Sequence, residues 1–161
     1  MVKTKIIVCV SDAKASRDPS DMIVTYSLGS CIGVCLYDNV TLVGGMLHYQ
    51  LPDSKQHPER AQEKPFMYAD TGLKLLLGKL QALGAKKSRL SVKVAGGAAM
   101  KTGPKGFDIG KRNALALRKQ LWKLGLFLDA EEVGGFSPRN LYLTIADGTV
   151  IMKSNGREKV L

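Results

Sequence analysis

Apolar and polar positions alternate along this chain in blocks short enough for strands and, twice, long enough for helices. KIIVCV, at 5–10, reads as a strand from its β-branched content. The polar stretch SDAKASRDPSD then reads as loop as far as Asp21. MIVTY, at 22–26, predicts a second strand, closed by Leu28, Gly29 and Ser30. Two more apolar strands are expected, from Cys31 to Tyr37 and from Thr41 to His48, with turn chemistry at Asp38-Asn39 between them.

From Leu51 to Lys64 the chain is polar with two prolines and reads as a long surface loop bordering a site. Leu73, Leu76, Leu77, Leu80 and Leu83 then fall at helical spacing, with Asp70 or Thr71 as the expected N-cap and Gly84 as the stop. LSVKVA, at 90–95, predicts a strand ending in Gly96-Gly97, and GPKG, at 103–106, a flexible turn. A second helix is expected from about Lys111 to Leu124, on Ala114, Leu117, Leu121 and Leu124. The remainder is strand-rich, with a hairpin turn at Asp147-Gly148. The order β-β-β-β-α-β-α-β-β-β predicts a single α+β domain over 1–161, a layered sandwich of mainly antiparallel strands with two principal helices packed on the sheet.

If the third and fourth strands form a hairpin around Asn39-Val40, position 38 pairs with 41 and Cys31 pairs with His48. Directly opposed residues hold their Cβ atoms roughly 4.5–5.5 Å apart, so a thiol and an imidazole would meet on one face. That face also carries Gly33, Cys35, Tyr37, Leu42, Gly44 and Met46. The other carries Ile32, Val34, Leu36, Val43, Gly45 and Leu47. Both are largely apolar, so the hairpin should be covered on both sides.

With 45% apolar and 24% charged residues, the chain is a folding sequence and not a disordered one. No apolar run approaches the ~20 residues of a membrane span, and the six-residue apolar run near the N-terminus is too short for a signal peptide. A cytoplasmic protein is expected, without membrane insertion. Three cysteines in such a chain should be reduced thiols. The net charge of +10 points to an acidic partner.

Cysteines in strands are ordinarily small core hydrophobes, the reading given to Cys9 and Cys35. Cys31 differs because it follows a glycine turn and because one of only two histidines is expected across from it. Backbone N–H groups around Gly29, Ser30 and Cys31 would then be placed to receive a developing oxyanion.

VTYSLGSCIGVCLYD, VGGMLHYQLPDS, YADTGLKLLL, KVAGGAAM and IGKRN, in that order, closely resemble CheD, the bacterial chemoreceptor glutamine deamidase family. The likeness spans roughly residues 22 to 135. It implies Cys31 as catalytic cysteine, His48 as its histidine and Thr25 as the threonine that orients the imidazole, with Gly29 and Ser30 in the substrate and oxyanion region. Two departures concern loops: Ser27 stands where the family has glycine, and Pro138 where glycine commonly precedes the arginine. The implied reaction is attack of a Cys31 thiolate, its pKa lowered by a neighbouring imidazolium, on a glutamine side-chain amide. Ammonia release and thioester hydrolysis follow through His48. The resemblance implies no cofactor and no metal. It implies as partners the cytoplasmic domain of methyl-accepting chemotaxis receptors and, where the organism has one, the CheC phosphatase.

Rival readings fare less well. Cys31 and Cys35 lie about 13 Å apart on a strand, too far for one zinc. AGGAAMKTGPKG lacks the glycine that a phosphate loop needs before Lys-Thr, Met100 standing there instead. His57 has no partner at a telling spacing and reads as solvated. A nucleic-acid face built on Lys86, Lys87, Arg89, Lys111, Arg112, Arg118, Lys119 and Lys123 has no RNP-like or zinc-finger pattern beside it, so no nucleic-acid partner is expected. A non-catalytic basic adaptor docking on receptors or CheC is the other alternative. Rapid alkylation of Cys31 relative to Cys9 and Cys35 separates it from an enzyme.

Overall fold

The computed structural model describes residues 2–100 and 108–161. The GPKG turn expected at 103–106 lies outside them. Ten strands among the described residues make two five-stranded sheets. One sheet contains β1 (Thr4–Ile7), β3 (Asp21–Leu28), β8 (Arg139–Thr144), β9 (Val150–Ser154) and β10 (Arg157–Val160), in that order. The other runs β2 (Asp12–Ser16), β5 (Val43–Tyr49), β4 (Ile32–Asp38), β6 (Leu90–Gly96) and β7 (Ala130–Val133). Pairing is antiparallel except for β1 with β3 and β6 with β7.

The α+β sandwich is as expected, and the period-two alternation of β4 and β5 shows why. Ile32, Val34, Leu36, Val43, Leu47 and Tyr49 point to a core shared with α2 (Ala69–Ala82) and α3 (Ile109–Leu124). Cys35, Tyr37 and Met46 point the other way, into a core shared with Ile23, Leu28, Leu141 and Leu143 of the first sheet. Every residue of β4 and β5 is buried, which places the hairpin in the middle layer. Each fully buried aliphatic side chain contributes roughly 1.5–3 kcal/mol, so these two strands are the spine of both cores. A Cβ on Gly45 would come within 2.5 Å of Leu80 Cδ1, so the glycine lets α2 press directly onto the sheet.

The hairpin register differs from the expected one. Asp38 pairs with Val43, Gly33 with His48 and Ile32 with Tyr49. The cause is the turn. Asp38 accepts from the Val40 amide at 2.9 Å, Leu42 takes a left-handed φ of 56°, and β5 begins at Val43 instead of Thr41. The buried Asp38 carboxylate is also gripped by the Lys86 amide and the Arg89 guanidinium, which hold it well below the usual carboxylate pKa range. The slip is two residues, so every side chain keeps its face while His48 moves from opposite Cys31 to opposite Gly33.

Other corrections are local. The polar stretch after Val10 contains β2, which pairs with β5 although it has no apolar run to announce it. The loop at 51–64 contains a short helix, α1 (Pro58–Glu63), with proline at its first turn. Neither Asp70 nor Thr71 caps α2: Asp70 accepts from the Ser54 amide and hydroxyl, and Thr71 donates to the Pro65 carbonyl. α3 starts two residues early, on an Asp108 cap, and ends at Gly125 in left-handed conformation. Cys9 is exposed and belongs to no core, whereas Cys35 is buried as expected.

Candidate active site

Thr25 lies on β3 of one sheet and His48 on β5 of the other, both fully buried where the two sheets face each other. Thr25 Oγ1 is 2.7 Å from the Val8 carbonyl oxygen and 2.7 Å from His48 Nδ1. A hydroxyl has one proton, and a carbonyl can only accept. Thr25 therefore donates to Val8 and accepts from His48, which puts the imidazole proton on Nδ1 and leaves the lone pair on Nε2. Among the described residues, Nε2 is buried with no hydrogen-bond partner. Burial pushes the imidazole pKa down to about 4, so at neutral pH His48 is an uncharged base.

Cys31 lies one position before β4, on the face that carries His48. Continuing the ladder one step past Ile32 and Tyr49 sets Cys31 across from Gln50. In a regular ladder such a position is diagonal to His48, with Cβ atoms somewhat under about 7–8 Å apart. The residue opposite His48 is Gly33, and the place its Cβ would take is filled by Leu28 and Leu141 of the other sheet. The thiol is partly exposed, and burial raises its pKa above the ordinary value. Burial thus disfavours the charged form of each group, the thiolate and the imidazolium alike.

The loop presenting Cys31 is held by its carbonyls. Gly29 O accepts from the Ala98 amide at 2.8 Å, Cys31 O from the Gly97 amide at 2.8 Å, and Ser30 O from Asn113 Nδ2 at 2.9 Å. With these carbonyls engaged, the amides of Gly29 and Ser30 make no hydrogen bond among the described residues. Gly96 has φ 118°, and a Cβ there would lie 2.1 Å from Cys31 O, so only glycine allows β6 to pass the loop this closely. Arg139, also buried, donates to Gly96 O at 3.0 Å and Gly134 O at 2.6 Å. Ser27, the first departure from the family pattern, takes a left-handed φ of 59° at a break in the β3–β8 register, a strain of roughly 1–2 kcal/mol, with its amide bonded to Asn140 Oδ1. Pro138, the second, has its carbonyl bonded by the Ser154 hydroxyl.

Three contributors were not singled out from sequence. Asn113, fully buried on α3, donates through one nitrogen to both Ser30 O and Gln50 O, at 2.9 and 2.8 Å. It thereby ties the cysteine loop to the end of the histidine strand, and its own carbonyl accepts from the Tyr49 hydroxyl. Ser11 donates its hydroxyl to Gln50 Oε1 and its amide to His48 O. Only the IGKRN run hinted at Asn113. Ser11 and Gln50 gave no signal, because their meeting depends on the unforeseen pairing of β2 with β5.

The basic residues weighed as a nucleic-acid face are divided. Arg89 is committed to Asp38, and Arg118 makes an ion pair with Glu131 at 2.8 Å. His57 is exposed, as expected. No helix among the described residues is long and apolar enough to cross a membrane.

A family model described as "CheD chemotactic sensory transduction" matches residues 50–154. A Solibacter usitatus protein named "Probable chemoreceptor glutamine deamidase CheD" is 47% identical over 157 residues, covering 98% of this chain and 93% of that one. "Probable chemoreceptor glutamine deamidase CheD 1" of Syntrophus aciditrophicus is 43% identical, covering 94% of each. A relative from Pyrococcus abyssi bearing the first of these names is 46% identical over 134 residues, 82% of this chain and 81% of its own.

Proposed function

Because the chain belongs to the CheD family, we propose that it deamidates glutamine side chains of chemoreceptors, with Cys31 as nucleophile, His48 as general acid and base, and Thr25 as the residue that orients the imidazole. The observation that carries this reading is the pair of contacts at Thr25 Oγ1, to Val8 O and to His48 Nδ1, which sets the tautomer of His48. Its Nδ1 proton is committed to Thr25, so its lone pair at Nε2 is free on the face that carries Cys31.

Because burial favours the uncharged form of both groups, proton transfer accompanies the attack. The thiol proton passes to His48 Nε2 as Cys31 Sγ bonds to the glutamine side-chain carbonyl carbon. The carbonyl oxygen becomes an oxyanion, for which the amides of Gly29 and Ser30 are the available donors. Nε2–H then protonates the departing nitrogen, the C–N bond breaks and ammonia leaves a thioester. Nε2, again unprotonated, takes a proton from water, and the resulting hydroxide attacks the thioester. The C–S bond breaks, the thiolate recovers its proton, and the glutamine has become glutamate. Thr25 holds the ring in the useful tautomer throughout. Asn113 is a positioning residue, since it touches both chain segments of the site through their carbonyls.

The substrates on this reading are the cytoplasmic domains of chemoreceptors, with CheC as a further partner where one is present, and no cofactor takes part. Mass spectrometry of a receptor cytoplasmic fragment before and after incubation tests the proposal. Wild-type protein should convert specific glutamines to glutamate with release of ammonia. Cys31→Ala should abolish this while retaining the cooperative unfolding of the wild type. Activity in that variant, or none in the wild type, would remove the assignment and leave the adaptor reading in its place.

A further inference from the structure

Positive charge is concentrated in one groove beside the candidate site. Helices α2 and α3 pack against each other and, with residues 52–56, leave an open groove of about 550 Å³. Lys55, Lys74, Arg112, Lys119 and Lys123 line it, against two carboxylates, Asp53 and Asp70. Both carboxylates are already engaged, Asp53 by the Lys55 amide and Asp70 by Ser54. The four lysines of the groove therefore outnumber its two carboxylates.

The cations have an order. Arg112, Lys119 and Lys123 are spaced by seven and four residues, so at 3.6 residues per turn they fall within about 20° of one line along α3 and cover about 16 Å. Leu115, 55% exposed, and Ala116 line the same groove and put an apolar strip between them. A trough between two helices, with Lys119 and Lys123 one turn apart and an apolar strip beside them, matches a facing helix with carboxylates at i and i+4.

The trough also leads to the site. Its α3 wall begins at Arg112, the residue before Asn113, whose amide ties Ser30 to Gln50. Its other lip includes Pro52, two residues beyond Gln50. An occupant lying along the trough thus ends at the first turn of α3, which Asn113 ties to Ser30.

We propose that this groove seats an acidic helical segment of the substrate protein, its carboxylates against Lys74, Lys119 and Lys123 and an apolar side chain on Leu115, so that a glutamine at the end of that segment reaches Cys31. The proposal rests on the deamidase reading for the identity of the substrate. Being exposed, the lysines act mainly by steering and register, so their effect falls with salt.

The test uses the full chain, a receptor cytoplasmic fragment and the triple variant K74E/K119E/K123E. Deamidation should show KM raised by about tenfold or more with kcat nearly held, and a KM that no longer climbs with ionic strength. The rate of Cys31 alkylation should match wild type, which verifies an intact site. The same charge change at Lys3, Lys5 and Lys86, away from the groove, should leave KM alone. If the triple variant folds poorly, Lys119→Glu alone should still raise KM by about threefold. An unchanged KM in a folded variant with active wild type overturns the groove and spares the deamidase reading. Binding of the fragment that is lost on charge reversal, with no deamidation by wild type, does the opposite. Neither binding nor deamidation by wild type removes both.

Discussion

Thr25 and His48 belong to different sheets and meet across the interior through a 2.7 Å bond between Oγ1 and Nδ1. The second bond of the hydroxyl, to Val8 O, makes the contact directional and decides which imidazole nitrogen remains basic. Thr25→Val removes both bonds at once. Deamidation, followed by ammonia release, should fall by about 100-fold, the lower end of what a positioned acid–base contributes. Thr25→Ser keeps the hydroxyl and should recover most of the rate, which a purely packing role for the threonine would not require.

The depressed imidazole pKa has a consequence for stability. His48 resists protonation in the folded chain down to about pH 4, whereas in the unfolded chain it takes a proton near pH 6.5. The unfolded state thus binds the extra proton first. Stability from this group is fully present above pH 6.5 and falls through the window from 6.5 to 4, by about 3 kcal/mol in all. Urea midpoints measured across that window should fall in wild type. In a His48→Gln variant they should show a flatter profile.

Asn113 holds two carbonyls from two segments with one nitrogen. Asn113→Asp replaces that donor by an acceptor facing both oxygens. It should lower the thermal midpoint and reduce kcat by about tenfold or more, with the buried charge costing several kcal/mol if it stays ionised. Hydrogen exchange at the Gly97 and Ala98 amides, which bond Cys31 O and Gly29 O, should quicken in the same variant. Unchanged exchange there would show that Asn113 does not position the loop.

Two glycines near Cys31 should respond in opposite ways. Gly96→Ala forces a Cβ to 2.1 Å from Cys31 O at a φ of 118° and should cost at least about 2 kcal/mol. Gly29→Ala meets nothing within 4 Å and should shift the unfolding midpoint little. Equal losses in chemical denaturation would contradict the close packing of β6 on the cysteine loop.

Legibility in the sequence followed the range of the interactions. The leucines of α2, the alternating faces of β4 and β5, and the common face of Cys31 and His48 depend on helical and strand periods, so they were readable. The hairpin register was not, because the Asp38 carboxylate bonds both the turn and Lys86 and Arg89, far along the chain, and moves the start of β5 to Val43. Nor was β2, an edge strand with polar residues at Asp12, Lys14 and Ser16, held by pairing and not by an apolar run. Asn113 looked like one more polar residue on a helix until α3 was packed against the ends of β4 and β5.

By itself the sequence determined, through the two-residue period of a strand, that the Cys31 thiol and the His48 imidazole look the same way. Only the tertiary structure decided that His48 stands opposite Gly33 and not Cys31, which nitrogen of His48 is basic, and that burial works against the thiolate. Those matters turn on a turn geometry, a hydroxyl from the other sheet and the depth of burial, all set by the packing of distant segments that no local pattern encodes.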